Sequence, residues 1–270
     1  MDEERTEAWW ARRAWALLSA VRERAPLVQC ITNLVSMDIA ANALTAAGAS
    51  PAMLHSLREI PDFTPRCDAV YINVGTLSED WLPSMRAAAS AGRPWVLDPV
   101  AAAASGFRME ACLQLLSRSA PPSSGATRPR SSPSPRAQIT PPSRVWTLKY
   151  FPKKNKLCPT VVRGNASEIL ALASSSDNSS FKGVDSSHDS GEALQAAKAL
   201  ARSSRAVIAV SGAVDFITDA ACALAVIGLA GEIGMESAKG PASLRMHLID
   251  ALYELDEQII TSGVKIALVP

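Results

Sequence analysis

At 270 residues, of which 48% are hydrophobic, the chain is long enough to form one large α/β domain or two small ones. The low aromatic content of 5% and the alanine-rich helical stretches favour a layered α/β architecture over a β-sandwich. No apolar run reaches the roughly 20 residues that cross a membrane, so no membrane association is expected.

The formal net charge of +1 hides one strongly basic segment. Residues 118–156 contain nine Lys and Arg residues and no acidic residue, and the remainder of the chain carries a net charge of −8. Residues 119–145 also hold seven of the 18 prolines and seven serines. A segment of this composition has little to bury, so we predict a disordered insert at about 118–156. Because few aromatic residues interleave with the basic ones, nucleic-acid binding is not expected.

Cysteine usage and the amino terminus both indicate a reducing compartment. The five cysteines are scattered without CxxC spacing, which predicts buried free thiols. Three of the first four residues are acidic, which argues against a secretory or transit peptide. We therefore expect a cytoplasmic protein.

Strands and helices alternate in the part of the chain that precedes the insert. Apolar residues recur on one face of a helix over 10–21, and a buried strand follows at 27–31. Ser36 is expected to cap a helix over 37–47. Further strands are predicted at 69–74 and 95–97, and further helices at 79–91 and 107–116.

The same alternation resumes after the insert. The pattern predicts strands at 160–163, 206–210 and 216–218, and helices at 166–173, 189–202 and 221–255. Asp189 and Glu192 resemble a capping box for the second of these helices, and Gly240-Pro241 breaks the third. This spacing indicates βαβ units and a mostly parallel sheet in a single domain over residues 1–270, interrupted by the insert.

Polar side chains follow two of the predicted strands, where ligands bind in open α/β sheets. Asp98 ends one strand, Arg163 ends the next, and Glu168 lies shortly after it. Two carboxylates and a guanidinium in one crevice suit a magnesium-bound phosphate ligand. Each residue also has a structural interpretation: Asp98 as a turn residue, Glu168 as a helix N-terminal residue, and Arg163 as an ion-pair partner.

The common nucleotide and metal motifs are missing from the sequence. It contains no GxxxxGK[ST] P-loop and no GxGxxG after a strand, which argues against a Walker-type or dinucleotide site. The three histidines, His55, His188 and His247, lack ligand spacing, so no histidine-based metal site is predicted.

An ordered set of strings identifies a family resemblance. The strings are Cys30-Ile31-Thr32-Asn33, Gly48-Ala49-Ser50-Pro51-Ala52-Met53, Asn73-Val74-Gly75-Thr76-Leu77, Leu97-Asp98-Pro99-Val100, Arg163-Gly164-Asn165-Ala166-Ser167-Glu168-Ile169 and Lys239-Gly240-Pro241-Ala242-Ser243. Together they resemble hydroxyethylthiazole kinase over roughly residues 14–117 and 157–258. The resemblance implies a three-layer ribokinase-like fold and a homotrimer with sites between subunits. It also implies transfer of the γ-phosphate of ATP to the hydroxyethyl group of a thiazole in thiamine salvage.

The resemblance further implies where the small-molecule partners bind. Met53 would contact the thiazole, and Asn33 would line the same pocket. Methionine suits this role as a soft, adaptable wall, although it is a core residue in most proteins.

For the phosphate side, the resemblance implies that Asp98 and Glu168 organise Mg²⁺ and the phosphates. Arg163 would hold the ATP phosphates, and Ser211 would stand at the position of an ATP-binding threonine. Phosphoryl transfer depends mostly on positioning and charge neutralisation, which this set of side chains supplies. Ser211 could equally be a plain strand end.

Two departures from the family pattern are tolerable, namely a pair of substitutions and the insert. Gln29 stands where the family commonly has histidine, and Ala103 falls in a stretch where it commonly has glycine. The insert separates a helix from the strand that normally follows it, and a surface insertion costs little beyond loop closure.

A third departure concerns catalysis itself. In the family, the motif at Thr218-Asp219 is followed by further strands and a Gly-x-Gly-Cys loop, whose N–H groups and cysteine act as anion hole and base. Here Asp219 runs directly into Ala220, and Cys222 lacks the preceding glycines. We therefore predict no catalytic residue at this place, core packing for Cys222, and a fold that is incomplete near its C-terminal part.

Three functional hypotheses follow. The chain is an ATP- and Mg²⁺-dependent hydroxyethylthiazole kinase with impaired activity, or a non-catalytic isoform that binds thiazole or modulates trimers. A third hypothesis, another ribokinase-like kinase of a small molecule, is disfavoured by the strings around Met53 and Glu168. The insert and the gap together suggest an alternative transcript or a mis-drawn gene model.

Overall fold

The computed structural model describes residues 6–116, 159–174, 191, 193–211, 216–217 and 221–266. Three features predicted above lie outside these ranges: the insert at 118–156, the capping box of Asp189 and Glu192, and the Thr218-Asp219 motif. No helix within the described ranges is long and apolar enough to span a membrane.

A seven-stranded sheet forms the centre of the described structure. Its strands are β1 (Leu27–Ile31), β2 (Ser50–Ala52), β3 (Ala69–Asn73), β4 (Trp95–Asp98), β5 (Val161–Asn165), β6 (Val207–Ser211) and β7 (Phe216–Ile217). The spatial order is β2-β1-β3-β4-β5-β6-β7, with β1 to β6 parallel and β7 antiparallel to β6. The predicted α/β class with a mostly parallel sheet is confirmed.

Helices surround the sheet and connect its parallel strands. They are α1 (Glu7–Arg24), α2 (Met37–Ala46), α3 (Ile60–Phe63), α4 (Trp81–Ala89), α5 (Gly106–Leu116), α6 (Ala166–Ser174), α7 (Leu194–Ser204), α8 (Ala221–Ser237), α9 (Pro241–Glu254) and α10 (Glu257–Gly263). Each predicted helix is found with its ends shifted by a few residues, and Gly240-Pro241 separates α8 from α9 as expected. The elements β2, α3 and α10 were not predicted.

Two local predictions are wrong in detail. Ser36 occupies the N-cap position of α2, but its side chain makes no capping hydrogen bond. Instead, its backbone N–H donates to Asn33 Oδ1 at 2.8 Å, which draws Asn33 into the turn before the helix. On α1, Trp10 and Leu18 are buried whereas Leu17 is 43% exposed, because the face that meets α8 and α10 is narrower than the apolar stripe.

Two clusters of buried apolar side chains stabilise the fold. The first joins the strands to α4–α7 and includes Ile72, Leu97 and Ile169. The second joins α1, α2 and α8–α10 and contains no strand residue; Trp10 and Leu252 belong to it. Each fully buried aliphatic side chain contributes about 1.5–3 kcal/mol relative to an exposed one.

The guanidinium of Arg22 closes the second cluster at the carboxyl end of α9. Its Nη2 donates to the carbonyls of Leu252 at 3.0 Å and Tyr253 at 2.9 Å, and its Nη1 donates to Leu255 at 2.5 Å. The last carbonyls of a helix have no partner within the helix, and a cation there also interacts favourably with the helix dipole. Arg22 therefore ties α1 to the end of α9.

We expect Arg22→Met to lower the free energy of unfolding by about 2 kcal/mol, since charge-assisted hydrogen bonds to carbonyls that lack other partners are lost. Urea titration followed by circular dichroism measures the change. Arg12→Met, on the exposed side of the same helix, is the matched control. Equal unfolding midpoints for the two variants would contradict this role.

Candidate functional site

The candidate residues lie in a row along the carboxyl edge of the sheet. Following the strand order from β2 to β6, the row consists of Met53, Asn33, Asn73, Asp98, Arg163 and Ser211. Because parallel strands end at the same edge, side chains that are far apart in sequence meet there. The structure thus places all of the sequence-predicted site residues at this edge or directly behind it.

The strand order reverses between β1 and β3. The chain passes from β1 to β2 on one side and then to β3 on the other side of β1, and ligands of open α/β sheets bind at such a reversal. Asn33 follows β1, and its Nδ2 donates to Asn73 Oδ1 at the end of β3, at 2.8 Å. The N–H of Gly75 donates to the same oxygen at 2.8 Å. A Cβ atom on Gly75 would lie 2.7 Å from Asn33 Nδ2, so no larger residue fits here.

Asp98 is the most constrained side chain of the site, with only 6% of the residue exposed. Its Oδ2 accepts hydrogen bonds from Asn73 Nδ2 at 2.7 Å and from the Tyr71 hydroxyl at 2.8 Å. Its Oδ1 is buried and has no hydrogen-bond partner among the described residues; Arg163 Nη1 lies 3.7 Å from it. A buried carboxylate oxygen without a donor is unfavourable unless a cation completes its surroundings.

Glu168 joins the start of α6 to the loop after β4. Its Oε2 accepts from the N–H of Asn165 while Asn165 Oδ1 accepts from the N–H of Glu168, which is a reciprocal helix cap. Its Oε1 accepts from the N–H of Ala101 at 2.8 Å. Ala101 has φ of 54°, a left-handed conformation that costs non-glycine residues about 1–2 kcal/mol. Glu168 therefore holds the segment behind Asp98 in a strained but defined conformation.

Burial governs the protonation of both carboxyl groups. It raises the pKa of Asp98, while Arg163 and the hydrogen bonds from Tyr71 and Asn73 act in the opposite direction. It also raises the pKa of Glu168, where the N–H donors of Ala101 and Asn165 oppose the shift. The charge of Asp98 raises the pKa of Glu168 further, so the two carboxyl groups interact electrostatically. A cation close to both would favour the charged form of each.

On the other side of Asp98, Arg163 and Ser211 line the edge. About 44% of the Arg163 side chain is exposed, which leaves its guanidinium accessible to an anion above the strand ends. Ser211 ends β6 opposite Asn165, and its hydroxyl lies 3.5 Å from the carbonyl oxygen of Gly164. Both side chains thus lie on the side of Asp98 that faces β5 and β6.

At the opposite end of the row, the segment that carries Met53 is fastened to β1. Gln29 Nε2 donates to the carbonyl of Leu54 at 3.1 Å, and Gln29 Oε1 accepts from the hydroxyl of Thr64. The N–H of Thr32 donates to His55 Nε2 at 3.2 Å, and burial lowers the pKa of His55, in keeping with a neutral imidazole. Gln29 thus has a hydrogen-bond partner for both its amide nitrogen and its amide oxygen.

Sequence reasoning missed Arg108, which connects two of the strand-end loops. From α5 its guanidinium donates to the carbonyls of Val74, Gly75 and Val100, the last two at 3.1 Å. The apolar periodicity of the helix gave no signal for this role, because the three acceptors are backbone atoms. Arg108 holds the loops after β3 and β4 in one arrangement around Asp98.

Cys222 lies at the beginning of α8. The residue is buried in the second apolar cluster with Trp10 and Val226, and burial raises the pKa of its thiol. The four cysteines in the described ranges, Cys30, Cys67, Cys112 and Cys222, are all free and buried, as predicted for them.

Comparison with known proteins gives one consistent family. The model of the hydroxyethylthiazole kinase family matches residues 18–122 and 153–228. The hydroxyethylthiazole kinase of Zea mays is 60% identical over 313 aligned positions, which include 100% of this chain and 98% of the relative. That of Arabidopsis thaliana is 43% identical, with 98% and 99% covered.

A solved structure agrees with the sequence comparisons. The hydroxyethylthiazole kinase protein from Pyrococcus horikoshii OT3 superimposes with a TM-score of 0.70 at 28% identity. The match covers 94% of this chain and 98% of the archaeal one. The α/β fold described here is therefore the fold of that protein.

We expect iodoacetamide to modify Cys222 at pH 7 at least about 100-fold more slowly in the folded protein than in urea, since only an accessible thiolate reacts. Because the pKa of the Cys222 thiol is raised, the rate of modification should keep increasing when the pH passes the pKa of an ordinary thiol. Timed alkylation followed by peptide mass spectrometry measures both. Fast modification that reaches a plateau below pH 8 would instead indicate an activated thiol.

Proposed function

The chain belongs to the hydroxyethylthiazole kinase family, and we propose that it transfers the γ-phosphate of ATP to the hydroxyethyl group of 4-methyl-5-(2-hydroxyethyl)thiazole, at a reduced rate. This reaction would serve thiamine salvage or biosynthesis. The observation that carries the proposal is the spatial order of the edge: thiazole-side residues at β2 and β1, Asp98 at the centre, and phosphate-side residues at β5 and β6.

The buried carboxylates fit a Mg²⁺ ion. Asp98 Oδ1 has no donor among the described residues, and Glu168 keeps a free lone pair on each bonded oxygen. Within the same residues, no group of three or more His, Cys, Asp or Glu side chains forms a metal site. Mg²⁺ needs no such group, since proteins usually bind it through one or two carboxylates together with substrate phosphates. When bound, the ion would neutralise charge on the phosphate groups.

Each side chain of the row has a distinct task in the proposed reaction. Met53 and Asn33 would hold the thiazole ring beside the crevice, with Asn33 fixed by its hydrogen bond to Asn73. Arg163 would hold the ATP phosphates, and Ser211 would contact the nucleotide at the end of β6. Alignment of the phosphoryl acceptor, the thiazole, with the phosphoryl donor, ATP, contributes most of the rate enhancement in such transfers.

The reduced rate follows from the missing Gly-x-Gly-Cys loop. The alignment with the maize relative spans 313 positions, 43 more than the 270 residues of this chain, so the relative has residues without a counterpart here. The family model matches nothing beyond residue 228, and the only cysteine near the expected place, Cys222, is buried in the helical cluster. Each lost anion-hole donor costs about 10²–10³ in rate.

The same observation favours one second candidate function. Without an anion hole or a base, the chain would bind thiazole or assemble with intact subunits and not turn over.

A reducing compartment, the cytoplasm, suits either function, because the described thiols are free.

Assembly as a homotrimer forms part of the proposal. Leu34 is 64% exposed and Val35 is 93% exposed, directly after Asn33. Exposed apolar side chains next to a binding site support a subunit interface at the thiazole end of the row.

Phosphorylation of hydroxyethylthiazole by purified protein with Mg-ATP tests the catalytic proposal. We expect slow product formation that falls by about 100-fold or more in Asp98→Asn, on the scale of losing one charge-stabilising group. Asp250→Asn, an exposed position on α9, is the matched control. Absence of product together with retained thiazole binding would reject the kinase proposal in favour of the binding function.

Light scattering after size exclusion tests the trimer. The expected mass is about three times the 28.5 kDa of the chain. We expect Leu34→Asp/Val35→Asp to yield monomers, because two charges would be buried in an apolar interface. Met235→Asp/Met246→Asp, which changes two exposed methionines on α8 and α9, should remain trimeric. Monomers in the unmodified protein would contradict the proposal.

A further inference from the structure

Tyr71 is a half-buried phenol whose contact with Asp98 is explained neither by the sequence analysis nor by the proposed reaction. It lies in the middle of β3, two residues before Asn73, so the two side chains point to the same face of the sheet. Asn73 is paired in register with Asp98 on β4. Tyr71, Asn73 and Asp98 therefore form one cluster across two neighbouring strands.

The hydrogen bonds in this cluster fall on one oxygen of Asp98. The Tyr71 hydroxyl donates to Oδ2 at 2.8 Å and accepts from Asn73 Nδ2 at 2.9 Å. Asn73 Nδ2 donates its second proton to Asp98 Oδ2, at 2.7 Å. Two donors saturate the two lone pairs of a carboxylate oxygen. Oδ2 is thus fully occupied, while Oδ1 of the same group has no donor among the described residues.

This asymmetry fixes the orientation of the carboxylate. With a single donor on Oδ2, the carboxyl group could rotate about its terminal torsion, which is broad in aspartate. Two donors from one rigid strand define both the position of Oδ2 and the plane of the group.

We propose that Tyr71 is a positioning residue which, together with Asn73, occupies Oδ2 of Asp98 and leaves Oδ1 as the atom that binds the divalent cation accompanying ATP. The inference rests on the proposed function, which assigns the cation to Asp98. A partner that donates to a metal-ligating carboxylate orients the ligand and typically changes metal affinity by 10- to 100-fold when it is removed.

A purely structural role for Tyr71 makes a different prediction. If the hydroxyl served only to satisfy a buried phenol, its removal would change stability but not metal affinity beyond any general effect on binding. Tyr71→Phe separates the two roles, because it deletes one oxygen and keeps the ring that packs in the sheet. Tyr253→Phe is the matched control, since Tyr253 is 72% exposed on α9.

The experiment measures Mn²⁺ binding to the full chain in the presence of a non-hydrolysable ATP analogue, by electron paramagnetic resonance of the free ion. The affinity of the analogue without metal is measured by calorimetry. For Tyr71→Phe we expect about 10-fold weaker Mn²⁺ binding and unchanged metal-free affinity. Tyr253→Phe should match the unmodified protein in both measurements.

Four results would overturn the inference. Unchanged Mn²⁺ affinity in Tyr71→Phe would show that the hydroxyl does not position Asp98, and an equal loss with and without metal would show a structural role. Asn73→Ser, which removes the other donor to Oδ2, must also weaken Mn²⁺ binding, and unchanged affinity in this variant would contradict the inference. This second variant provides the test if Tyr71→Phe does not fold. Unchanged Mn²⁺ affinity in Asp98→Asn would instead reject the metal site of the proposed function, and the role of Tyr71 with it.

Discussion

The site depends on the hydrogen bonds that the side-chain amide of Asn73 makes. Strands β1 and β4 are not neighbours, so no backbone hydrogen bond relates Asn33 to Asp98. Asn73, only 2% exposed, bridges them: its oxygen accepts from Asn33 and its nitrogen donates to Asp98. A buried amide with all its groups bonded is costly to disturb, because each freed group would remain without a partner. Asn33 and the Asp98 carboxylate are consequently held at one separation.

Most of the fold could be predicted because its signals are local. Apolar runs that end in polar residues identified β1, β3, β4, β5 and β6. All of these strands except β5, which carries the exposed Arg163, are buried or half-buried along their length, as parallel strands covered by helices are. The missed strand β2 has only three residues and contains Pro51, a residue that only an edge strand tolerates. The missed helix α3 is a single turn, for which periodicity carries no information.

The site could be predicted in part, for a related reason. The rule that ligands bind at strand ends predicted Asp98 and Asn33 at one edge, where the structure has them, since it depends only on where strands stop. Arg163, expected at a strand end, is instead the middle residue of β5 and lies beside Asp98. The contacts of Tyr71 and Arg108 depend on the register between strands and on backbone acceptors, neither of which is visible in a single sequence. Tyr71 reads as an ordinary strand residue, and only its pairing near Val96 brings its hydroxyl to Asp98.

The separation of the two apolar clusters bears on what a chain without the Gly-x-Gly-Cys loop can still do. Side chains at the strand ends are supported by the first cluster, by Asn73 and by Arg108, all of which belong to the sheet and the helices α4–α7. The second cluster, where Cys222 lies, is assembled from helices alone and closed by Arg22. Among the described residues, none of these supports of Asp98 and Asn33 comes from α8. The supports of the strand-end side chains and the surroundings of Cys222 thus belong to different parts of this fold.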